Sequence, residues 1–118
     1  VGPPVTELEL PYPPSVNHYY RRVGRRTLIS REGRKFRRTV CSLLAAAGIT
    51  PLAGPLRVEI EVYPPDRRRR DIDNVQKALL DALQHGGAFH DDGQIVQLKI
   101  EKRRSVPGGR TVVRIEVM

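Results

Sequence analysis

Apolar positions recur along this chain with two periods, and the period changes from segment to segment. Leu56, Val58, Ile60 and Val62 alternate with Arg57, Glu59 and Glu61, the two-residue repeat of a strand with one buried face. Val96, Leu98 and Ile100 alternate with Gln97, Lys99 and Glu101. Val113, Ile115 and Val117 resume the pattern after Pro107-Gly108-Gly109, so these two segments read as a hairpin with a long loop. Residues 7–10 form a shorter segment of the same kind. Pro11, Pro13 and Pro14 then force an extended or turning path. Residues 15–26 read as a loop, and Thr27-Leu28-Ile29 as a brief strand.

Elsewhere the period lengthens. Phe36, Val40, Leu43, Leu44 and Ala47 predict a helix that starts after Ser30 as N-cap, runs to about Ala47 and stops at Gly48. Val75, Ala78, Leu79, Ala82 and Leu83 fall on one side of a second helix, from about Asp73 to Gln84, ended by Gly86-Gly87. Asp73, Lys77, Leu80 and Gln84 fall on the other side, where Leu80 hints at a partner contact. A sheet covered on both faces would show near-continuous apolar runs, whereas each long strand here keeps one polar face. The expected fold class is therefore α/β (α+β): a single two-layer domain over residues 1–118. Its mixed sheet carries both helices on one face, in the order β-α-β-α-β-β.

Composition adds a partner class. The 118 residues suit one domain. Net charge is +8, from 21 basic and 13 acidic residues, a balance that favours a polyanion, most commonly nucleic acid. Acidic membranes and acidic proteins attract such a chain too. Tyr12, Tyr19, Tyr20, Tyr63, Phe36 and Phe89 are too few rings for a broad single-strand stacking platform. Cys41 is the lone cysteine, which rules out an intrachain disulfide and agrees with a reducing cytoplasm. No apolar run approaches a membrane span and no signal peptide is visible. The start at Val1 is read as a trimmed N-terminus. Arg31, Arg34, Lys35, Arg37 and Arg38 crowd the first half of the first helix, against its dipole. Phosphate contact would offset that, and a solvated face is the plainer reading.

Residues 65–77 read Pro-Asp-Arg-Arg-Arg-Arg-Asp-Ile-Asp-Asn-Val-Gln-Lys. Four consecutive cations run into Asp71 and Asp73, and Asp91-Asp92 follow before the next strand. Carboxylates repel phosphate unless a divalent cation lies between them. Two unit charges about 4 Å apart repel by about 4 kcal/mol at an effective dielectric of 20. Oxygen-only ligands suit Mg²⁺, and Lys77 could meet charge developing on phosphorus. Plainer readings fit the same residues: Asp73–Lys77 as a helix ion pair, Asp71 or Asp73 as an N-cap, and Asp91-Asp92-Gly93 as an Asp-Gly turn. His18, His85 and His90 lack zinc spacing. There is no Walker-type loop and no nucleophile elbow.

This central stretch, with Asp81-Ala82-Leu83, Asp91-Asp92 and the opening Pro-Pro-Ser-Val-Asn-His-Tyr-Tyr of residues 13–20, closely resembles the RusA family of Holliday-junction resolvases. The resemblance spans about Leu8 to Met118. It implies a homodimeric, Mg²⁺-dependent endonuclease resolving four-way DNA junctions by paired nicks, in a bacterial, phage or prophage cytoplasm, with no membrane and no small-molecule cofactor. By position, the family's essential carboxylates fall on Asp71, Asp73 and Asp92 and its lysine on Lys77, with Asp91 at a neighbouring acidic position. Arg67, Arg68, Arg69, Arg70, Arg21, Arg22, Arg34, Arg37, Arg38 and Asn17 are the candidate DNA contacts. A non-catalytic binder of structured nucleic acid, or a nuclease acting on flaps and forks, are the alternatives.

A geometric expectation follows. If one chain supplies all three carboxylates, the strand after Gln94 starts at the site and runs antiparallel to strand 56–62, which ends near Asp71. A parallel crossover would instead strand Asp92 at the far end of the sheet, leaving the partner subunit to complete the site.

Overall fold

The computed structural model describes residues 5–118; the reading of Val1 lies outside them. The elements are β1 (Val5–Leu10), α1 (Val16–Tyr19), β2 (Tyr20–Val23), β3 (Arg26–Ile29), α2 (Arg31–Ala46), β4 (Leu56–Tyr63), a 3₁₀ turn (Ile72–Asn74), α3 (Gln76–His85), a second 3₁₀ turn (Asp92–Gln94), β5 (Ile95–Lys102) and β6 (Arg110–Val117).

The main sheet has the order β1-β6-β4-β5. β6 runs antiparallel to both β1 and β4, whereas β5 runs parallel to β4. The mixed sheet agrees with expectation, but the hairpin between β5 and β6 does not form, because β4 lies between them. The connection explains why. Arg103 N–H donates to the Val62 carbonyl (2.8 Å), Val106 N–H to that of Pro64 (2.9 Å) and Gly109 N–H to that of Val106 (2.9 Å). Residues 103–109 thus cross the end of β4 and deliver β6 to its other edge. Gly109 has φ +69°, and a Cβ there would press on Tyr12 and Pro65.

The core lies between the sheet and the long helices. Leu56, Val58, Ile60 and Val62 of β4 and Val113 and Ile115 of β6 are buried with Phe36, Val40 and Leu44 of α2 and Ala78, Leu79, Ala82 and Leu83 of α3. Each large aliphatic side chain contributes about 1.5–3 kcal/mol by leaving water. Leu43 and Ala47, expected in this core, are exposed: beyond Gly33, α2 buries the i, i+4 ridge Phe36–Val40–Leu44, and Leu43 and Ala47 flank the contact. Ser30 caps α2 by accepting from Gly33 N–H at 2.9 Å.

Three further expectations change. Residues 15–26 are not a loop but hold α1 and most of a β2–β3 hairpin, turning at Gly24 with φ +60°. This corner docks on α2. Ser30 N–H donates to the Tyr19 carbonyl (2.8 Å) and Ser30 Oγ to the His18 carbonyl. A Cβ on Gly33 would strike the Tyr19 carbonyl, so glycine permits the approach. The second helix does not run unbroken from Asp73: the 3₁₀ turn ends at Asn74, Val75 follows it, and α3 begins at Gln76. Finally, β4 ends at Tyr63, well short of Asp71.

β5 is an edge strand, and its inward face is only partly covered: Ile95 and Ile100 pack against the core. Leu98, in register with Val58, is nevertheless 37% exposed, and Val96, which the register shift between Leu56 and Arg57 leaves without a partner in β4, is 57% exposed.

Candidate active site

The loop from Pro64 to Asp71 is folded by one carboxylate. Asp66 accepts from Arg68 N–H (2.9 Å) and from Arg70 Nη1 (2.7 Å) through Oδ1, and pairs with Arg68 Nη2 (3.2 Å) through Oδ2. The Arg70 hydrogen bond first, then the Arg68 backbone N–H, hold the Asp66 carboxyl far below the usual carboxylate range. Arg70 also lies over the Tyr12 ring at 5.8 Å, and its carbonyl accepts from Lys102 Nζ at 2.9 Å. Arg70 is therefore a structural member of the loop. Because the folded-state carboxyl is depressed, its stabilisation is present above the ordinary value of about 3.9 and is lost as pH falls through the lower folded value. Arg68 amide protection in exchange measurements should persist at pH 4 and fail only in stronger acid. Asp66→Ala, which removes the acceptor, should abolish it at every pH.

Asp71 occupies the N-cap position of the first 3₁₀ turn, but its side chain caps nothing. It lines a cleft of about 510 Å³ with Arg68, Arg69, Arg70, His18 and Asn74. Asp73 is exposed in the same turn. Among the described residues, neither side chain makes a hydrogen bond or an ion pair. Lys77, in the first turn of α3, is exposed and forms no ion pair with Asp73; its ammonium lies over the Tyr20 ring at 5.6 Å. The 3₁₀ turn breaks the regular i, i+4 spacing that would bring Asp73 and Lys77 together.

Asp91 and Asp92 lie at the other end of β5. Asp91 accepts from Gly93 N–H at 3.1 Å through Oδ2 and forms a capping box with Gln94, so its turn-forming reading holds. Asp92 is exposed. Its N–H donates to Gln84 Oε1 at 3.0 Å, and it faces a groove with Lys77, Leu80, Gln84 and Tyr20. Because β5 is parallel to β4, Asp92 sits near the start of β4 and Asp71 beyond its end. Eight residues at roughly 3.3 Å each place those ends about 23 Å apart. Among the described residues, no three of the His, Cys, Asp and Glu side chains gather closely enough to hold a metal ion. The single-chain three-carboxylate arrangement is therefore not formed, and the parallel crossover is the reason.

The candidate DNA contacts divide into free and committed cations. Arg67 and Arg69 line a cleft with Lys102, Arg103 and Arg104. Arg21, Arg22, Arg38 and Asn17 are exposed. Arg34 is also exposed, although it donates to the Ile29 carbonyl at 3.0 Å. Arg37 turns inward to Asp81 at 2.8 Å. The open sheet face is charge-balanced by Arg57–Glu116, Lys99–Glu101, Arg103–Glu61 and Arg110–Glu9. Exposed cations that are not in these pairs lie on the 64–71 loop (Arg67, Arg69), the β2–β3 hairpin (Arg21, Arg22) and α2 (Arg38).

Sequence reasoning missed Asp66, although Pro-Asp-x-Arg before a basic run is a turn signal of the Asx kind. It also missed the joint of buried Tyr19 with half-buried Asp81 and Arg37, whose members come from three elements. Burial first, then the hydrogen bond to Asp81, raises the Tyr19 phenol above its ordinary value.

The family model described as Endodeoxyribonuclease RusA matches residues 11–116. The crossover junction endodeoxyribonuclease RusA of Escherichia coli K12 is 43% identical over 112 residues, covering 94% of this chain and 93% of the relative. The protein of that name from Enterobacteria phage 82 matches equally, and that of Enterobacteria phage HK97 is 40% identical over 107 residues, covering 90% and 89%.

Proposed function

The chain belongs to the RusA family of endodeoxyribonucleases, and from that premise we propose that it resolves four-way DNA junctions by paired, Mg²⁺-dependent nicks as a homodimer, in recombination and repair of bacterial or phage DNA in the cytoplasm. The observation that carries this reading is the run 67–73. Exposed Arg67 and Arg69 precede Asp71 and Asp73, two exposed carboxylates whose side chains make no hydrogen bond or ion pair among the described residues. Unpaired carboxylates beside phosphate-binding cations are the donor set of a hard divalent ion. Mg²⁺ fits this oxygen-only pair and, when bound, supplies Lewis-acid polarisation of the phosphate and activation of water. Asp71 and Asp73 would hold it from one protomer. Lys77 would meet negative charge on the transferred phosphoryl group. Arg67, Arg69, Arg21, Arg22 and Arg38 would grip the arms through phosphates, which carry position rather than sequence.

The homodimer reading rests on β5. Its free edge and its exposed Val96 and Leu98 are what a second copy would cover. The N-terminal end of β5 is acidic (Asp91, Asp92) and its C-terminal end basic (Lys102, Arg103, Arg104). A two-fold axis across the middle of the strand would set opposite charges together and carry the partner subunit's Asp92 toward Asp71 and Asp73. Such symmetry also suits two equivalent cuts.

The test is cleavage of a four-way junction, a fork, a flap and linear duplex, with Mg²⁺ or with a chelator. Symmetric nicking of the four-way junction, lost on chelation and restored by Mg²⁺, is expected. Equal rates on forks and flaps would replace junction resolution with a broader nuclease. Binding without cleavage of any substrate would leave a non-catalytic binder.

A further inference from the structure

We propose that Tyr20 is the positioning residue for Lys77, holding the ammonium on its ring face so that it reaches the scissile phosphate without being captured by a carboxylate. The inference rests on the reading of Lys77 given above and assigns the residue that aims it. Three carboxylates are candidates to capture this lysine, and Asp92, which lines the same groove, forms no ion pair with it. Asp73 is removed by the 3₁₀ turn, and no Asp73–Lys77 pair forms. Asp81, at i+4 on α3, is already engaged: it accepts from the Tyr19 hydroxyl, pairs with Arg37 at 2.8 Å and lies 3.8 Å from His85 Nε2. Lys77 Nζ instead sits 5.6 Å from the Tyr20 ring centroid, within the range of a cation–π contact.

The ring is itself fixed. Tyr20 meets Tyr19 edge to face, with centroids 4.8 Å apart and planes at 80°, a favoured aromatic geometry. Tyr19 is fully buried, its hydroxyl is tied to Asp81 on α3 and its carbonyl to Ser30 at the start of α2. A chain of contacts thus runs from Asp81 through Tyr19 and Tyr20 back to Lys77 on the same helix. Tyr20 and Lys77 line both the groove that holds Asn17, Arg21 and Arg22 and the groove that leads to Asp92. The cation is therefore presented between the basic hairpin and the acidic end of β5. A π face attracts an ammonium while leaving its donors free for phosphate, which a carboxylate partner would not.

The test compares Tyr20→Phe, Tyr20→Leu, Lys77→Ala and Tyr20→Leu/Lys77→Ala as full-length dimers in single-turnover cleavage of a four-way junction, with junction Kd measured separately. Loss of aim is expected to lower the rate of Tyr20→Leu by about tenfold at unchanged Kd. Tyr20→Phe, which keeps the ring, should restore the rate to within about threefold of the unsubstituted protein. In the Lys77→Ala background, Tyr20→Leu should add nothing, because a residue acting only through Lys77 has no effect once it is gone. An independent readout is NMR of the ε-methylene groups of the four lysines: Lys77 should show an upfield ring-current shift that Tyr20→Leu removes. An unshifted Lys77 in the unsubstituted protein, or equal Tyr20→Leu losses with and without Lys77, would overturn the proposal. Undiminished cleavage by Lys77→Ala would instead overturn the reading of Lys77, and this one with it.

Discussion

Asp73→Asn is expected to retain four-way-junction binding and to lower the cleavage rate by about 10³-fold, the upper range for removing one preorganised group at a reacting centre. The structure makes this a chemical rather than a folding test. Asp73 is exposed, and its side chain forms no hydrogen bond or ion pair among the described residues, so the isosteric change should alter stability by less than about 0.5 kcal/mol. Affinity should hold or rise slightly, because a negative charge near phosphates is removed while Arg67 and Arg69 stay in place. The measurements are junction Kd by gel shift without cleavage and single-turnover rates with Mg²⁺. Asp91→Asn is the natural comparator, since Asp91 serves a capping box; it should lose turn stability more than rate. Unimpaired cleavage by Asp73→Asn would sink the metal-site assignment.

Co-expression of Asp73→Asn and Asp92→Asn chains under two tags should yield a heterodimer that cuts one strand of the junction, although each variant alone is inactive. The arithmetic is that of composite sites. If Asp92 acts across the interface, one site of the mixed dimer receives both asparagines, and the other receives Asp73 from one chain and Asp92 from its partner, so it is whole. Single nicks at roughly half the unsubstituted nicking rate, without paired resolution, are then expected. If Asp92 acts within its own chain, both sites are damaged and no activity returns. The parallel β4–β5 pairing and the distance between the ends of β4 favour the first outcome. A silent heterodimer beside an active unsubstituted enzyme would reject the shared site and leave the nuclease assignment standing.

Much of the fold was legible because burial imposes a period. The inward residues of β4, the Phe36–Val40–Leu44 ridge and the apolar positions Val75 to Leu83 at and within α3 were all readable from spacing. Leu43 and Ala47 were misread because an apolar residue beside the contact ridge costs little when exposed. The β5–β6 pairing was misread because alternation reports which face a strand buries and nothing about which strand lies beside it. The short α1 and the β2–β3 hairpin were hidden because their order comes from docking on α2 through Gly33 and Ser30, not from local periodicity.

The candidate site divides along the same line. Four arginines before two carboxylates are a covalent fact of the chain, and with the family's spacing they pointed to phosphodiester chemistry before any geometry was available. Which arginines remain free could not be read there, since Asp66 claims Arg70 and Asp81 claims Arg37 only after distant segments have packed. By itself, then, the sequence determined a two-layer fold and the kind of chemistry its loops carry, because periodicity and residue type are local. Only the tertiary structure decided that Asp92 lies at the far end of the sheet from Asp71 and that Lys77 rests on Tyr20. Strand order, helix breaks and the closing of side-chain partnerships depend on contacts between residues far apart in the chain.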